Sequence, residues 1–235
     1  MNRTDTKFIF HIDKLNSVLK KASKDYRILE VNNTKLASYN TIYFDTDNFQ
    51  MYNAHHQGKK NRYKIRKRKY VESQINFLEI KFKSNKGKTI KKRIKLNNFN
   101  EHFSKETEEF IIKNTPINPN SLKAKLYIDF SRITLVNTEK KERITIDTAL
   151  KFKNNSNIAE LNSLVIAEVK REGFAGTTIF TEILKSEKIY PAKTSKYCTG
   201  IVLLNKHLKF NRFKSRFLEL NKIINGSNNF EHILR

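Results

Sequence analysis

Cysteine is almost missing from this chain: there is one, Cys198, in 235 residues. A single thiol excludes an internal disulfide framework and a cysteine-based zinc site, and it fits a reducing compartment. Tryptophan is absent, and only 6 glycines and 3 prolines occur, so no stretch reads as a flexible or proline-stiffened linker. There is no repeat at solenoid period. No apolar run approaches the roughly 20 residues a membrane-spanning helix needs. The start, MNRTDTKFIFHID, lacks the apolar stretch and small-residue cleavage site of a secretory signal. These absences give the expectation of a cytoplasmic protein. Acid is also scarce: 23 Asp+Glu stand against 47 Lys+Arg, a formal net charge of +24.

What is present is enough for a core. Hydrophobic residues make up 38% and aromatics 11%, with 17 Phe and 9 Tyr, so wholesale disorder is excluded. Lys7–Ile12 alternates as a short strand. Leu15, Val18, Leu19 and Ala22 recur at helical spacing, predicting a helix over Asp13–Lys24 with Asp13 as its cap. Strand patterns follow at Ser38–Phe44, Asn61–Tyr70, Gln74–Lys83 and Thr89–Leu96, the last two joined by a turn at Gly87. Asn100–Lys113 reads as a helix with Phe103, Phe110 and Ile111 on its core side. Strands return at Ala124–Val136, Glu142–Phe152 and Ser163–Arg171. A helix lies within Thr177–Glu187, and a last one over Phe213–Ile224 stops at Asn225-Gly226. The expectation is a β-rich α+β domain of about eight antiparallel strands with a few flanking helices, a barrel or a sandwich.

The placement of charge is more informative than its amount. Successive strand residues point to opposite faces. Arg62, Lys64, Arg66 and Arg68 therefore share one face, as do Glu79, Lys81 and Lys83, and again Lys91, Arg93 and Lys95. In the late strands Arg143, Thr145 and Asp147 alternate with Ile144 and Ile146, and Glu168 and Lys170 with Ala167 and Val169. One such strand is an ordinary half-exposed sheet edge. Repeated over five strands, it sets like charges opposite one another, which destabilises a sheet unless an anion occupies the space. Arginine forks and mobile lysines together suit several phosphate groups in a row. Glu79 and Glu168 lie among these bases. Either carboxylate could pair with a neighbouring cation, or hold Mg²⁺ or Mn²⁺ against phosphate oxygens.

Several stretches, in order, resemble the VTC domain, the polyphosphate polymerase domain of the vacuolar transporter chaperone family, within the triphosphate tunnel (CYTH-like) superfamily. They are Lys7-Phe8, Ile42-Tyr43-Phe44-Asp45-Thr46, Asn61 to Tyr70, Leu78-Glu79-Ile80-Lys81, Lys91-Lys92-Arg93, Phe130-Ser131-Arg132, Arg143 to Asp147, Ala167 to Lys170, and Thr194 to Cys198. The resemblance spans about Arg3 to Leu204. It implies a closed antiparallel β-barrel tunnel over residues 1–205. The stretch 206–235 lies beyond it; the helical stripe of Phe213, Phe217, Leu220 and Ile224 gives the expectation of a helical extension packed on the outside of the same domain, with a tunnel-mouth plug or a partner contact as alternatives. The resemblance also implies transfer of the ATP γ-phosphate to a growing polyphosphate chain with Mn²⁺ or Mg²⁺. On matching positions it assigns Lys196, Ser195, Arg66, Arg68, Lys81, Arg132 and Arg143 to the reacting phosphates and Glu168 to the metal. Lys7 and Arg93 are carried over as substrate contacts. Lys64, Lys91, Lys170 and Glu79 join them from the inward basic faces.

Two departures matter. The wider superfamily often begins Glu-x-Glu-x-Lys, whereas this chain has Thr4-Asp5-Thr6-Lys7. That argues against a triphosphatase or cyclase reliant on several tunnel glutamates. Phe130 stands where relatives often carry Tyr, so a hydroxyl is lost. The rival expectations are a tunnel-fold phosphohydrolase, a non-catalytic polyanion-binding module, and a β protein that stacks RNA bases. Nucleic acid is not expected, because Ile, Leu and Phe oppose the bases as core. His55 and His56 read as loop residues, Cys198 as a buried structural thiol, and Tyr127, Tyr190 and Tyr197 as core or rim.

Overall fold

The computed structural model describes residues 3–137, 139–173 and 176–226. Its strands are β1 (Arg3–His11), β2 (Tyr26–Ile28), β3 (Leu36–Asp45), β4 (Arg62–Tyr70), β5 (Ile75–Lys83), β6 (Thr89–Leu96), β7 (Lys123–Asn137), β8 (Glu142–Lys153), β9 (Ile158–Leu161) and β10 (Leu164–Glu172). The helices are α1 (Leu15–Ala22), α2 (Gln50–His56), α3 (Lys105–Asn114), α4 (Ile179–Ser186), α5 (Lys196–Leu204) and α6 (Lys214–Asn225). No helix among the described residues is long and apolar enough to cross a membrane.

All ten strands belong to one antiparallel sheet, in the order β1-β10-β8-β7-β3-β4-β5-β6, with β2 on β7 and β9 on β8. The expected barrel is not closed by hydrogen bonds: among the described residues no ladder joins β1 to β6. Two local causes are visible. Beyond β5, strand β6 carries Lys91, Lys92, Arg93 and Lys95 in succession, and charge of one sign is a barrier to edge pairing. The free edge of β1 is already engaged, because the Ala192 amide donates to the Lys7 carbonyl at 2.8 Å and Pro191 bridges Phe8.

The outward faces build two cores. Phe8, Phe10, Ile144, Ile146, Val165 and Val169 pack against Val18 of α1 and Phe180 and Leu184 of α4. Ile42, Phe44, Ile65, Leu78 and Ile80 pack against Ile111 of α3. The third core lies on the inward side, where Leu126, Ile128, Phe152 and Tyr43 meet Ile201 and Val202 of α5 and Phe217 and Leu220 of α6. The apolar stripe of the C-terminal helix is thus part of the same core as β7; residues beyond 226 lie outside the described ones.

Four details differ from the sequence reading. Asp13 does not cap α1: it sits in a 3-10 turn, Ile12–Lys14, capped by His11. The third helix begins only at Lys105, capped by Ser104, and Phe103 instead packs on Phe44 at 4.6 Å. His55 and His56 are on α2 rather than in a loop. Strands β2 and β9 are only 3 and 4 residues long, too short to leave a periodic signature.

Candidate active site

The strand registers bring the inward bases into rows. Lys64, Lys81 and Lys91 lie directly across from one another on β4, β5 and β6, and so do Arg66, Glu79 and Arg93. Tyr43 of β3 extends the second row, opposite Arg66. Farther along, Arg68 faces Phe77 and Lys95. On the other half of the sheet, Lys7 faces Glu168, Lys170 faces Arg143, and Arg132 faces Asp147. Cations outnumber carboxylates on this face.

The carboxylates present are engaged by cations. Glu79 is 2% exposed; its Oε2 accepts from Arg66 Nε and Nη2, both at 2.6 Å, and its Oε1 pairs with Lys91. Burial alone would raise its pKa, but Arg66, Arg68 and Lys91 outweigh that and hold it at about 2. Asp147 is buried and accepts two bonds from Arg132, Nε to Oδ1 at 2.5 Å and Nη2 to Oδ2 at 2.8 Å, and one from Lys196 Nζ. Burial opposes its ionisation, but those two cations hold it far below the usual carboxylate range. Glu168 accepts from Lys170 at 2.6 Å and keeps a partly exposed side chain. Burial again raises its pKa, and Lys170 and Lys7 bring it down to about 2. Glu79, Asp147 and Glu168 therefore all stay charged on this face and are held in place by their cations.

Helix α5 closes one side of this face. Its residues 197–204 are all buried, as expected of a helix apolar all round. Gly200 sets the depth: a Cβ there would lie 2.6 Å from Phe152 Cδ1 and 2.8 Å from Leu126 Cδ1. Ser195 caps the helix and accepts from the Cys198 amide at 3.4 Å, while its Oγ also accepts from Lys64 Nζ at 2.8 Å. Lys196, at the first helical position, reaches the other way, to Asp147 and over the Phe130 ring at 4.8 Å. Ser195 and Lys196 therefore bridge the Lys64 and Arg132 regions of the face. Below them Tyr197 donates to Asp45, whose Oδ1 and Oδ2 also accept the Met51 and Tyr52 amides, each at 2.9 Å. Burial raises both groups, so the phenol keeps its proton. Asp45 ties α2 to α5 and fixes the base of the site.

The site residues expected from sequence fall into three groups. Lys7, Lys64, Arg66, Arg68, Glu79, Arg132, Lys170, Lys196, Ser195 and Glu168 are at most partly exposed on the inward face. Lys81, Lys91 and Arg93 are on the same face but exposed. Arg143 is exposed and stands level with Lys170, at the end of its row. Burial lowers the pKa of Lys64, Lys81 and Lys196. The sequence reading missed three contributors. Asp147 was seen only as an alternating residue, although its inward position opposite Arg132 was the available signal. Tyr43 accepts from Arg66 Nη1 at 2.8 Å. Burial would raise its phenol, but Arg66, Arg68 and Lys64 together bring it down to about 8. Asp45 is the third. Cys198 is buried, as expected. A cavity of about 430 Å³ lies away from this face, between His56 and the 207–212 segment.

The VTC domain model matches residues 2–205. The chain belongs to the VTC domain family. No curated protein matches it. Among solved structures, a Hippeastrum protein described as having a dominant triphosphatase activity is 11% identical; the match covers 85% of this chain and 94% of that one, with a TM-score of 0.52. A candidate adenylate cyclase from Vibrio parahaemolyticus is 9% identical over 83% of this chain and 96% of that one, with a TM-score of 0.49. One from Bacillus halodurans is 16% identical over 83% and 96%, with a TM-score of 0.48. The chain thus shares the fold of the Hippeastrum protein.

Such enzymes generally work with a divalent metal ion, and the donor set here can be tested for one. No group of three or more His, Cys, Asp or Glu side chains gathers among the described residues. Asp147 and Glu79 are surrounded by cations. Glu168 is the better fit: it is partly exposed and accepts from Lys170 through one oxygen, leaving the other for a hard cation. Mg²⁺ and Mn²⁺ accept one carboxylate when water and substrate phosphates supply the rest.

Proposed function

We propose that this VTC domain is a polyphosphate polymerase that transfers the γ-phosphate of ATP to the end of a polyphosphate chain lying along the basic face. The observation that carries the reading is the excess of inward Arg and Lys over carboxylates that are themselves cation-bound. Such a face offers a linear polyanion many partners and offers few ligands to a cluster of metals. Phosphoryl transfer asks for positioning and charge neutralisation more than for covalent chemistry. Arg66 and Arg68 would grip the triphosphate, with Lys81, Lys91 and Arg93 across from them. Arg132, Lys196 and Ser195 would lie at the transferred group. Lys7, Lys64, Lys170 and Arg143 would extend the track for the chain.

In the proposed step the bond between the γ-phosphorus and its bridging oxygen to the β-phosphate breaks, and ADP leaves with that oxygen. A terminal oxygen of the acceptor chain forms the new P–O bond. That oxygen is already ionised, so no strong general base is required. Glu168 would hold Mg²⁺ or Mn²⁺, which when bound neutralises charge on the phosphate oxygens.

The test is purified protein with ATP and Mn²⁺, read for long-chain polyphosphate on a gel beside Lys196→Ala and Glu168→Ala. Polymer from the parent protein, lost in both variants, is the expected result. Release of free phosphate without polymer would favour hydrolysis, the reading suggested by the triphosphatase activity described for the Hippeastrum relative. Binding of polyphosphate without ATP turnover would leave a non-catalytic binding domain.

A further inference from the structure

The inward face is not uniform along its length. On β4 the inward side chains run Tyr70, Arg68, Arg66, Lys64, about 6.6 Å apart at two residues per step. One end is aromatic. Tyr39 stacks on Phe130 with centroids 5.0 Å apart and planes 8° apart. Tyr39 also meets Tyr70 edge-on at 5.0 Å, and Tyr70 meets Phe77 edge-on at 5.9 Å. Guanidinium groups cover these rings: Arg132 over Tyr39 at 4.9 Å, Arg68 over Tyr39 at 5.5 Å and Arg93 over Phe77 at 4.5 Å. Tyr39 and Phe130 are buried, but Tyr70 and Phe77 remain partly exposed. The opposite end carries the all-lysine row of Lys64, Lys81 and Lys91, with Arg62 opposite Lys83 beyond it.

We propose that the partly exposed Tyr70 and Phe77 rings, with the Arg93 guanidinium, form the docking platform for the base of a nucleoside triphosphate. This rests on the triphosphate reading above and gives it a direction. A flat base has a π-face for every aromatic ring or guanidinium plane. Phosphates gain nothing from the rings and need the cations. With the base at Tyr70, the spacing along β4 sets the triphosphate past Arg68 and Arg66, and its terminal phosphate toward Lys64 and the Ser195 hydroxyl bonded to it. The nucleotide then enters by the aromatic end, and the lysine-rich end belongs to polyphosphate, which has no base.

The experiment compares ATP with methyl triphosphate, which carries the same triphosphate monoester but no nucleoside. Both are titrated calorimetrically into the wild-type domain, Tyr70→Ala and Phe77→Ala, with thermal unfolding of each variant recorded. Wild-type protein is expected to bind ATP about 5-fold or more tighter than methyl triphosphate, the smallest advantage ordinary base stacking gives. Each variant should pull that ratio toward one and leave methyl triphosphate binding within about twofold of wild type. Equal affinity for the two ligands in wild-type protein would overturn the base platform and leave the triphosphate site standing; this comparison needs no variant. Parallel loss of both ligands in the variants would overturn it as well. Failure of wild-type protein to bind either ligand would overturn the triphosphate reading and the platform together.

Discussion

Asp147→Asn tests the electrostatic design of the site most directly. The wild-type carboxylate is buried and accepts three bonds, two from Arg132 and one from Lys196. The amide keeps the shape and loses the charge, so two cations face each other across a neutral group. Removing one partner of a buried ion pair costs about 3–5 kcal/mol. An amide oxygen can still accept one bond, so we take the lower figure, about 3 kcal/mol. At about 2–4 °C per kcal/mol for a chain of this size, the ligand-free variant should melt roughly 6–12 °C below wild type. Tripolyphosphate should recover more of that loss in the variant than it adds to wild type, because a bound anion restores the missing charge. Transfer from ATP should nonetheless fall by about 10²-fold, since Lys196 no longer has a fixed position. The assay is thermal unfolding with and without 1 mM tripolyphosphate, a concentration of about the order needed to populate a weak phosphate site. A melting shift under about 2 °C, or equal stabilisation of both proteins by the anion, would refute the reasoning.

Three further outcomes follow from the same geometry. Tyr43 ionises near pH 8 and would then hold Arg66 against the substrate, so the Kd for tripolyphosphate should rise by up to about tenfold per pH unit above 8; Tyr43→Phe should lose this limb, and a Kd equally pH-dependent in the variant would sink it. Glu79 has its pKa lowered from 4.5 to about 2, so its contribution to folding is complete above about pH 4.5 and disappears as pH falls toward 2. A Glu79→Gln variant should accordingly show a flatter loss of stability in acid titrations than wild type, and identical acid limbs would contradict the assignment. Gly200→Ala sets a methyl against Phe152 and Leu126, and overpacking of this kind costs about 1–3 kcal/mol. Chemical denaturation should show that loss, with transfer activity falling too because α5 carries Ser195 and Lys196; an unchanged midpoint would mean that the helix can shift freely.

Much of the fold was legible because its strands are long and alternate cleanly. β4, β5 and β6 coincide with predicted runs to within a residue or two, and the inward basic rows follow from counting by twos. What escaped prediction was short or apolar throughout. Helix α5 consists of Lys196 followed by residues that are all buried, so no polar face marks its period. Its sequence reads equally well as a buried strand, and only its packing against β7 and β8 distinguishes the two. Helix α2 spans 7 residues and is held by Asp45 rather than by its own pattern. Closure of the sheet was an expectation from resemblance, and no periodicity within one strand can say whether two distant edges meet.

The site illustrates why register matters more than residue type. Glu79, Asp147 and Glu168 are all acids in basic surroundings, and their sequence contexts do not separate them. Across the sheet they differ sharply. Glu79 is flanked by Arg66 and Arg93 and is sealed from water; Asp147 stands opposite Arg132 and beneath Lys196; Glu168 faces Lys7 on one side and Thr145 on the other. Asp147 also has a neutral neighbour, Ile166, across one ladder, but only Glu168 combines such a neighbour with an accessible side chain and a single bonded cation. The same partner count that makes Glu79 and Asp147 rivets for the arginines makes Glu168 the carboxylate with an oxygen to spare. Swapping the roles should therefore be asymmetric. Glu168→Gln should abolish the proposed metal-dependent transfer and cost stability only through its one bonded partner, Lys170, whereas Glu79→Gln should lower the melting temperature further because it releases Arg66 and Lys91 together. Equal effects of the two substitutions on melting would show that exposure and register do not separate metal ligand from rivet on this face.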